Sequence, residues 1–332
     1  MSCRENPRTL KKFLKDSILN LFESSLVNHI CSKLPLKGYT VLMYHGVVKD
    51  HIDCANDDWL QVKESEFIEQ MVELKKNYHV VSFLDIINNV DLSYDKRHKI
   101  ILTFDDGYAN NYHVAYPILK DMGLPATIFL VTGVLGTKNI FWYDKLFTIL
   151  KPVFPINKIL DITQTFKSCH PHIVDEKVND FLLSKDLPVE CTDVVINTYR
   201  PLSMEEIYIM ASSGLITFGS HTHQHELLTL MTNREVKETL KTSFEVLKTI
   251  PNHIDVFCYP NGFYLNPSHI DICREVGYKM AVSTMQGVWF KNKKDFEIPR
   301  WGIGQGFTLG KFSSIVSGSL YYLKRLIGGM KC

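Results

Sequence analysis

Two neighbouring carboxylates stand at the point where an apolar segment of the sequence ends. Asp105 and Asp106 follow residues 100–104, a run that is typical of a parallel strand covered on both faces. Two like charges placed side by side in a protein interior are costly unless a metal ion or a shared proton compensates for them. A strand-ending turn is the alternative, because Asp105, Asp106 and Gly107 are all turn-forming residues.

Three histidines occur close together after a second apolar segment. His221, His223 and His225 follow residues 215–219, and a capping-box spacing predicts a helix over residues 232–249. His221 and His225 are four residues apart and can present their nitrogens on one side of a helical turn to a divalent metal. A histidine-rich surface loop is the alternative. Two histidines and one carboxylate would leave coordination positions open for water and substrate.

Three short segments, taken in their order and spacing, resemble the signature motifs of the polysaccharide deacetylases, the NodB-type carbohydrate esterases. They are TFDDGY at residues 103–108, HTHQH at 221–225 and YPNG at 259–262. The resemblance covers roughly residues 38–305 and is closest to the branch that acts on surface and exported polysaccharides. It implies an α/β fold, a distorted and incomplete (β/α) barrel.

The resemblance implies a role for each residue that matches a motif position. Asp106, His221 and His225 would bind a divalent metal, usually zinc, whereas His223 matches no ligand position. Co²⁺, Ni²⁺ or Mn²⁺ could replace zinc, because geometry and availability decide which metal occupies such a site. A metal can lower the pKa of bound water from 15.7 to about 7, and Asp105 would be the general base that activates this water.

Four further residues are implied to contact the substrate or its oxyanion. The backbone N–H of Tyr108 would donate a hydrogen bond to the oxyanion, although a packing aromatic at the start of a helix is the alternative. The other three belong to the YPNG segment, and they are Tyr259, Pro260 and Gly262.

The chain departs from the family pattern in the third motif. Cys258 stands where the family has an arginine that steadies the catalytic aspartate, and Asn261 stands where the family has an aromatic residue. Arg300, which follows another predicted strand, is the candidate substitute for the missing arginine. A surface arginine in a loop is the alternative for Arg300.

The usual general acid is also missing, since no histidine follows His269 in the sequence. His269 itself is expected to be a solvated residue at the start of a helix. His45 follows the predicted strand over residues 40–44, and the resembling branch of deacetylases implies that this histidine protonates the leaving amine. A structural histidine that bonds to a backbone group is the alternative for His45.

The candidate residues are predicted to converge because each follows a strand. Active sites of (β/α) barrels form at the carboxyl ends of the strands, and His45, Asp105, His221, Tyr259 and Arg300 each follow one. The other predicted elements are helices over residues 64–78, 110–122 and 270–276 and strands over 126–131, 256–259 and 280–283.

The sequence predicts a helical insertion and helical extensions at both ends. We expect an amphipathic extension over residues 1–37, a catalytic domain over 38–305 and an amphipathic helix within 306–332. The insertion spans about residues 138–200 and opens with FWYDK, which resembles a stretch at the site rim of related deacetylases. The rest of the insertion is either a lid that shapes the substrate site or structural padding, and padding is the interpretation adopted for most of it.

The amphipathic ends are expected to pack onto the barrel, as such helices usually do. Charged residues interrupt the first of them, so it does not have the pattern of a secretory signal, and no segment approaches the ~20 apolar residues of a membrane span. Contact with a membrane surface is the alternative. It would place the protein at the cytoplasmic face of a membrane and make a lipid-linked sugar accessible.

The composition excludes some classes of function. The chain has 37 basic and 36 acidic residues among 332, a balance that indicates no nucleic-acid partner. Eight cysteines without a CxxC pair argue against a zinc–thiolate site and favour a reduced, cytoplasmic setting. The hydrophobic content of 45% supports one large enzyme core.

Together these features predict a metal-dependent hydrolase that removes N-acetyl groups from the sugars of a polysaccharide or lipid-linked glycan. One alternative keeps the chemistry but changes the substrate, to a formyl group or another small amide on a lipid-linked amino sugar. The other is a carbohydrate-binding protein without turnover, which the missing arginine and terminal histidine would explain.

Overall fold

The fold is organised around a sheet of parallel strands. The computed structural model describes residues 24–34 and 36–326, and its strands are β1 Tyr39–Tyr44, β2 Gly46–Val48, β3 Gln61–Lys63, β4 His79–Val80, β5 Lys99–Phe104, β6 Ala126–Leu130, β7 Ile216–Ser220, β8 His253–Cys258, β9 Met280–Val282 and β10 Trp301–Gly302. Within these residues, β2 and β3 form a small separate sheet, and the others form an eight-stranded sheet in the order β10-β1-β5-β6-β7-β8-β9, with β4 beside β5. All of its strand pairs are parallel, and β9 and β10 form its edges. This is the predicted incomplete (β/α) barrel.

Alternate residues of each strand face the interior of the barrel, because successive side chains of a strand point to opposite faces. One alternating set packs together inside the barrel, and it includes Val41, Ile101, Phe129, Val256 and Cys258. The neighbouring set packs under the outer helices, and it includes Leu42, Leu102, Ile128 and Phe257. Asp105 extends the β5 ladder by donating its N–H to the carbonyl of Tyr44 at 2.9 Å. The same alternation therefore places Asp105 on the inner face at the barrel mouth.

Helices surround the sheet, and those predicted over residues 64–78 and 232–249 begin and end within two residues of their predicted bounds. They are α1 Ser25–Lys33, α2 Glu64–Asn77, α3 Phe83–Ile87, α4 Tyr116–Met122, α5 Trp142–Leu150, α6 Ile156–Phe166, α7 Val174–Leu183, α8 Asp193–Tyr199, α9 Met204–Ser212, α10 Asn233–Leu247, α11 Ser268–Val276, α12 Leu309–Val316 and α13 Ser319–Leu326. The α2 helix buries Phe67, Met71 and Leu74 on one face. A capping box between Thr232 and Glu235 opens α10.

The segment after the TFDDGY motif is less regular than the predicted helix over residues 110–122. Asn111–Ala115 is π-helical, and the N–H of Tyr116 bonds to the carbonyl of Asn111, five residues earlier. Pro117 has no N–H to continue the usual ladder, which explains the shifted bonding. Gly123, at φ 64°, ends α4 in the left-handed conformation as the sequence predicts.

The described parts of both chain ends pack onto the barrel. The α1 helix contacts α12 and α13, and α12 contacts α2. The Asn28 side chain on α1 accepts hydrogen bonds from the hydroxyls of Ser317 at 3.2 Å and Ser319 at 2.7 Å. Gly318, at φ 77°, separates α12 from α13, so the expected terminal helix is two helices.

Other parts of the predicted terminal helices lie in residues 1–23 and 327–332, outside the described residues. Among the described helices, none has both the length and the apolar character needed to cross a membrane. The division of the chain into an extension, a catalytic domain and a terminal helix stays a prediction.

The insertion forms a helical subdomain with its own core. The helices α5, α6, α7 and α8 lie between β6 and β7. The inward side chains of α5, α6 and α7 form a separate cluster that includes Leu146, Leu150, Ile159, Phe166, Val178 and Leu182. A core of this kind gives the insertion a defined shape beside the barrel mouth.

Candidate active site

A cavity of about 620 Å³ opens at the carboxyl ends of the strands. Five of the six candidate catalytic and metal-binding residues line it together, and they are His45, Asp105, Asp106, His221 and His225. The insertion supplies a further wall, which consists of Tyr143, Asp144, Phe147, Ile156, Ile159, Leu160, Thr163 and Lys167. The fold thus brings together residues that are far apart in the sequence.

Asp106, His221 and His225 form a group whose atoms fit a divalent cation. Oδ1 of Asp106 lies 3.3 Å from Nε2 of each histidine, and the three donor atoms lie within 4.8 Å of one another. Nδ1 of His221 donates to the carbonyl of Cys258 at 2.8 Å, which leaves Nε2 as the free ligand nitrogen. Burial would raise the pKa of Asp106, but its hydrogen bonds with the two histidines lower it well below the usual value. One carboxylate and two imidazoles suit zinc and leave coordination positions open.

The histidines sit on a loop, so the expected helical turn is wrong. Thr222 and His225 adopt left-handed φ values of 67° and 58°, a conformation that costs about 1–3 kcal/mol for such residues. Glu226 holds the loop by accepting hydrogen bonds from the Gln224 N–H at 2.8 Å and the Thr239 hydroxyl at 2.6 Å. These bonds stabilise the strained backbone that turns both imidazoles towards the same carboxylate.

Arg300 is fully buried and forms a bidentate pair with Asp105. Its two terminal nitrogens donate to Oδ1 and Oδ2 of Asp105 at 2.6 and 2.7 Å, and one of them also lies 3.1 Å from Sγ of Cys258. Burial alone would raise the pKa of Asp105, but the guanidinium holds it below the usual value. The structure therefore places Arg300 inside the barrel mouth, and the alternative of a surface loop arginine is wrong. Arg300 stands immediately before β10, so the prediction that it follows a strand is also wrong.

Asp105, His221 and Cys258 also lie close enough to hold a cation. The guanidinium of Arg300 already occupies the space beside both Asp105 oxygens and the cysteine sulfur. A cation placed there would meet this positive charge directly. The group around Asp106 is therefore the better metal site.

His45 stands at the end of β1, on the wall of the cavity. Its Nδ1 atom is buried and has no hydrogen-bond partner within residues 24–34 and 36–326. Its ring packs edge-on against Trp59, with the ring centroids 6.0 Å apart. Burial lowers the pKa of His45, and the nearby carboxylates of Asp106 and Asp105 oppose this shift. The expected alternative, a histidine that bonds to a backbone group, is not what the described residues show.

Tyr108 combines a buried aromatic side chain with a backbone N–H that has no acceptor among the described residues. Its side chain is buried, and its hydroxyl donates to Oδ2 of Asp144 at 2.7 Å. Its backbone N–H makes no hydrogen bond to any described residue. Burial raises the pKa of the Asp144 carboxyl well above its usual value, and the charges of Asp58 and Asp106 add to this effect. Tyr108 is thus a packing aromatic whose N–H remains available beside the carboxylates.

The YPNG segment lines the cavity with Asn261, and not with the three residues of the segment that were expected there. The Tyr259 side chain is fully buried in the core, where its ring stacks on Tyr264 at 4.5 Å between centroids. Neither it, Pro260 nor Gly262 lines the cavity, whereas Asn261 does. Tyr259 ends up in the core because it continues the outer-facing set of β8, which also contains Phe257.

Two helices of the insertion, α5 and α6, form a large part of the cavity wall, so this part of it is not padding. The first turns of α6 place Ile156, Ile159 and Leu160 there. Leu160 is 60% exposed, although it is a large apolar residue that contacts the cavity. The insertion thus gives the mouth of the site an apolar surface that no motif in the sequence indicated.

Trp59 is a lining residue that the sequence reasoning missed. Its indole ring lies over the backbone at Gly302 and Gly304, where a Cβ atom would overlap it. It remains 44% exposed on the cavity wall beside His45. No motif surrounds Trp59, although Gly302 and Gly304, two and four residues after Arg300, are a signal of close approach by another group.

His269 is not the solvated helix-end residue that its position suggested. It is fully buried, and its Nδ1 accepts a hydrogen bond from the N–H of Leu265 at 3.1 Å. Histidine 269 therefore has a structural contact away from the cavity.

The incomplete parallel barrel and the Asp–His–His cluster at its strand ends define a deacetylase of the NodB type. The family model described as "Polysaccharide deacetylase" matches residues 93–281, more than half of the chain, and the protein belongs to this family. The predictions of the family and of a hydrolase of this class are confirmed. His45 and Arg300 both lie outside the matched residues.

Curated relatives are similar over most of the chain. The putative polysaccharide deacetylase YxkH of Bacillus subtilis is 22% identical over 290 residues, which is 86% of this chain and 76% of that protein. The poly-beta-1,6-N-acetyl-D-glucosamine N-deacetylase of Staphylococcus aureus is 24% identical over 253 residues, 72% of this chain and 66% of that protein. The chain thus spans about two thirds to three quarters of these relatives.

Solved structures show the same fold. The deacetylase PplD of Streptococcus pyogenes in complex with acetate has a TM-score of 0.58 and 20% identity, covering 85% of this chain and 99% of that one. IcaB from Ammonifex degensii has a TM-score of 0.55 and 18% identity, covering 85% and 97%. At these identities the similarity supports the barrel architecture.

Proposed function

We propose that the protein removes N-acetyl groups from the sugars of a polysaccharide or lipid-linked glycan with the help of a divalent metal, most simply Zn²⁺. One observation carries this proposal. The candidate ligands Asp106, His221 and His225 share a cavity with a carboxylate, Asp105, that is held by Arg300 rather than by the metal site. Metal-dependent amide hydrolysis needs this separation between ligands and base.

A divalent cation held by the three candidate ligands would lower the pKa of a water molecule and polarise the acetamide carbonyl. Asp105 is suited to take the proton of that water. Its oxygens each accept one N–H from Arg300, and a carboxylate oxygen has further lone pairs for another donor. The guanidinium keeps Asp105 ionised and holds its orientation.

Two further groups would act on the amide as its carbonyl carbon becomes tetrahedral. The free backbone N–H of Tyr108 stands next to the Asp105–Asp106 pair and would stabilise the developing oxyanion. His45, whose Nδ1 has no described partner, would protonate the departing amine. The products would be acetate and a free amino sugar.

Replacing His45 with phenylalanine is expected to lower turnover by about 10²–10⁴-fold, the usual contribution of general-acid help. The ring would still pack against Trp59, but it could not donate a proton. Steady-state acetate release and metal content should be measured on the same preparation. Near-normal turnover in this variant would remove His45 from the mechanism.

The proposed function is tested by measuring acetate release from a panel of N-acetylated glycans. We expect release from at least one substrate in the presence of zinc, and loss of that release when a chelator is added. A formylated amino sugar belongs in the panel, because formate release would identify the alternative amide substrate. No release from any member, together with no bound metal, would contradict enzymatic function and favour a carbohydrate-binding protein.

A lipid-linked sugar is the second candidate substrate, and the apolar cavity wall favours it. Aliphatic side chains such as Ile156 and Leu160 cannot satisfy the hydroxyls of a long glycan. The exposed Trp59 ring could instead stack on a sugar. The two candidate substrates can be distinguished by measuring the affinity for a free N-acetylated oligosaccharide and for the same sugar carrying an alkyl chain. Only the alkylated sugar should gain affinity from contact with the apolar cavity wall.

A further inference from the structure

The insertion and the altered third motif contact each other inside the active-site cavity. Lys167, at the carboxyl end of α6 in the insertion, donates from Nζ to Oδ1 of Asn261 at 2.9 Å. Asn261 is the residue that replaces the aromatic of the family's third motif. Both side chains line the cavity that contains Asp106.

Lys167 carries a half-buried positive charge without a described counter-charge. No carboxylate within residues 24–34 and 36–326 forms an ion pair with it. Burial lowers the pKa of its ammonium group, and no neighbouring charge opposes that shift. A charge in such a setting is costly unless another group compensates for it. A negatively charged ligand in the cavity would supply that compensation.

The corner formed by Lys167 and Asn261 has more hydrogen-bond donors than acceptors. An ammonium group has three N–H donors, and only the bond to Asn261 uses one within the described residues. Oδ1 of Asn261 accepts that bond, and the backbone carbonyl of Asn261 accepts one from the Thr284 hydroxyl at 3.3 Å. The side-chain NH₂ of Asn261 has no acceptor among the described residues. Such a corner is complementary to the oxygens of an anion.

More ordinary roles explain each residue only in part. A lysine at the carboxyl end of a helix interacts favourably with the helix dipole, but the Lys167 ammonium bonds to Asn261 on another element. Asn261 has a left-handed φ of 53°, which asparagine tolerates better than an aromatic residue does. This backbone preference explains why asparagine stands at position 261. It does not explain why Lys167 has no counter-charge among the described residues.

We propose that Lys167 and Asn261 bind an anionic substituent, a phosphate or a carboxylate, that the sugar substrate carries. The proposal rests on the proposed function and narrows its substrate class to anionic N-acetylated sugars. The acetamide would lie at Asp105 and Asp106, while the anion would occupy the donor-rich corner of the same cavity. Lys167 is then a specificity-determining residue on the insertion.

The test compares the binding of three probes to the full chain by calorimetry. The probes are N-acetylglucosamine, its 1-phosphate and N-acetylmuramic acid, which are neutral, phosphorylated and carboxylated. The protein is first stripped of metal with a chelator, so that the anions cannot bind to a metal ion. We expect one or both anionic probes to bind at least about 10-fold more tightly than the neutral sugar, and Lys167→Met to abolish that preference.

Lys145 supplies a matched control. Its ammonium also bonds to an asparagine, Asn179, at 2.6 Å on the same insertion, but it does not line the active-site cavity. Lys145→Met should keep the preference for anions, and Lys167→Arg should retain most of it because the charge remains. These two variants separate a local anion contact from a general change in the insertion.

Two results would overturn the proposal of an anion site. If Lys167 only fastens the insertion to the barrel, Lys167→Met will lower Tm and weaken all three probes alike. A wild-type protein without any preference for the anionic probes would also overturn it. Because binding is measured without turnover, a protein that prefers anions but releases no acetate would contradict the proposed function and leave this inference intact.

Discussion

Replacing Arg300 with methionine is expected to lower kcat/KM by about 10²–10⁴-fold, the usual contribution of a positioned base. Asp105 would lose both guanidinium contacts and the main charge that holds its pKa below the usual value, which favours its protonated form. Breaking a buried pair in this way also costs about 3–5 kcal/mol of folding free energy. Acetate release and chemical denaturation of the same variant measure the two effects separately.

Cys258 makes a rescue experiment possible. Its sulfur lies 3.1 Å from the Arg300 guanidinium, so an arginine at position 258 would begin beside the space that the Arg300 head group occupies. The double variant Arg300→Met with Cys258→Arg should recover part of the activity lost in Arg300→Met. Arg300→Lys should fall between wild type and Arg300→Met, because lysine keeps the charge but loses the bidentate geometry. Wild-type activity in a folded Arg300→Met variant would contradict the positioning role.

Replacing His225 with alanine is expected to abolish metal binding and lower activity by more than the 10–100-fold that losing an outer partner of a metal ligand typically costs. Asp106 and His221 would remain, but two ligands hold a divalent cation poorly. Wild-type protein should gain thermal stability on addition of zinc, by about 2.7 kcal/mol at a metal concentration of 100 Kd. His225→Ala should show little of this gain, as measured by thermal denaturation with and without zinc.

His223 provides the control on the same loop. Its Nδ1 lies 3.0 Å from the Thr132 hydroxyl, and it does not belong to the candidate metal group. His223→Ala should therefore bind zinc with the wild-type stoichiometry. Equal metal loss in both variants would show that the loop as a whole, and not the His225 ligand, is responsible.

Regular spacing made part of the site predictable. Apolar residues before Asp105 indicated a buried strand, and the period-two alternation of that strand leads to an inward-facing carboxylate. The capping box at Thr232 and the left-handed glycine at position 123 marked helix ends correctly, because these signals depend on neighbouring residues only. Local signals of this kind can be recognised in a sequence without knowledge of the fold.

Other expectations failed where distant residues decide the outcome. The i, i+4 histidines suggested a helical turn, but Glu226 and Thr239 hold a strained loop instead. Tyr259 was expected at the substrate, but its place in the alternation of β8 directs it into the core. A sequence does not show which face of a short segment will meet a neighbouring strand or helix, and these positions depend on that choice.

The sequence by itself determined the class of protein through its three motifs, and the resemblance that these motifs carry implied the incomplete barrel and the residues of the candidate metal group, because motifs at fixed spacing can be recognised without the fold. Only the tertiary structure decided how the missing arginine is replaced and what the insertion does. Arg300 and Asp105 are 195 residues apart in the chain, and their pairing exists only because β5 and the segment before β10 enter the same barrel mouth. The contact between Lys167 and Asn261 likewise spans 94 residues, and no spacing rule connects an insertion to the cavity wall that it completes.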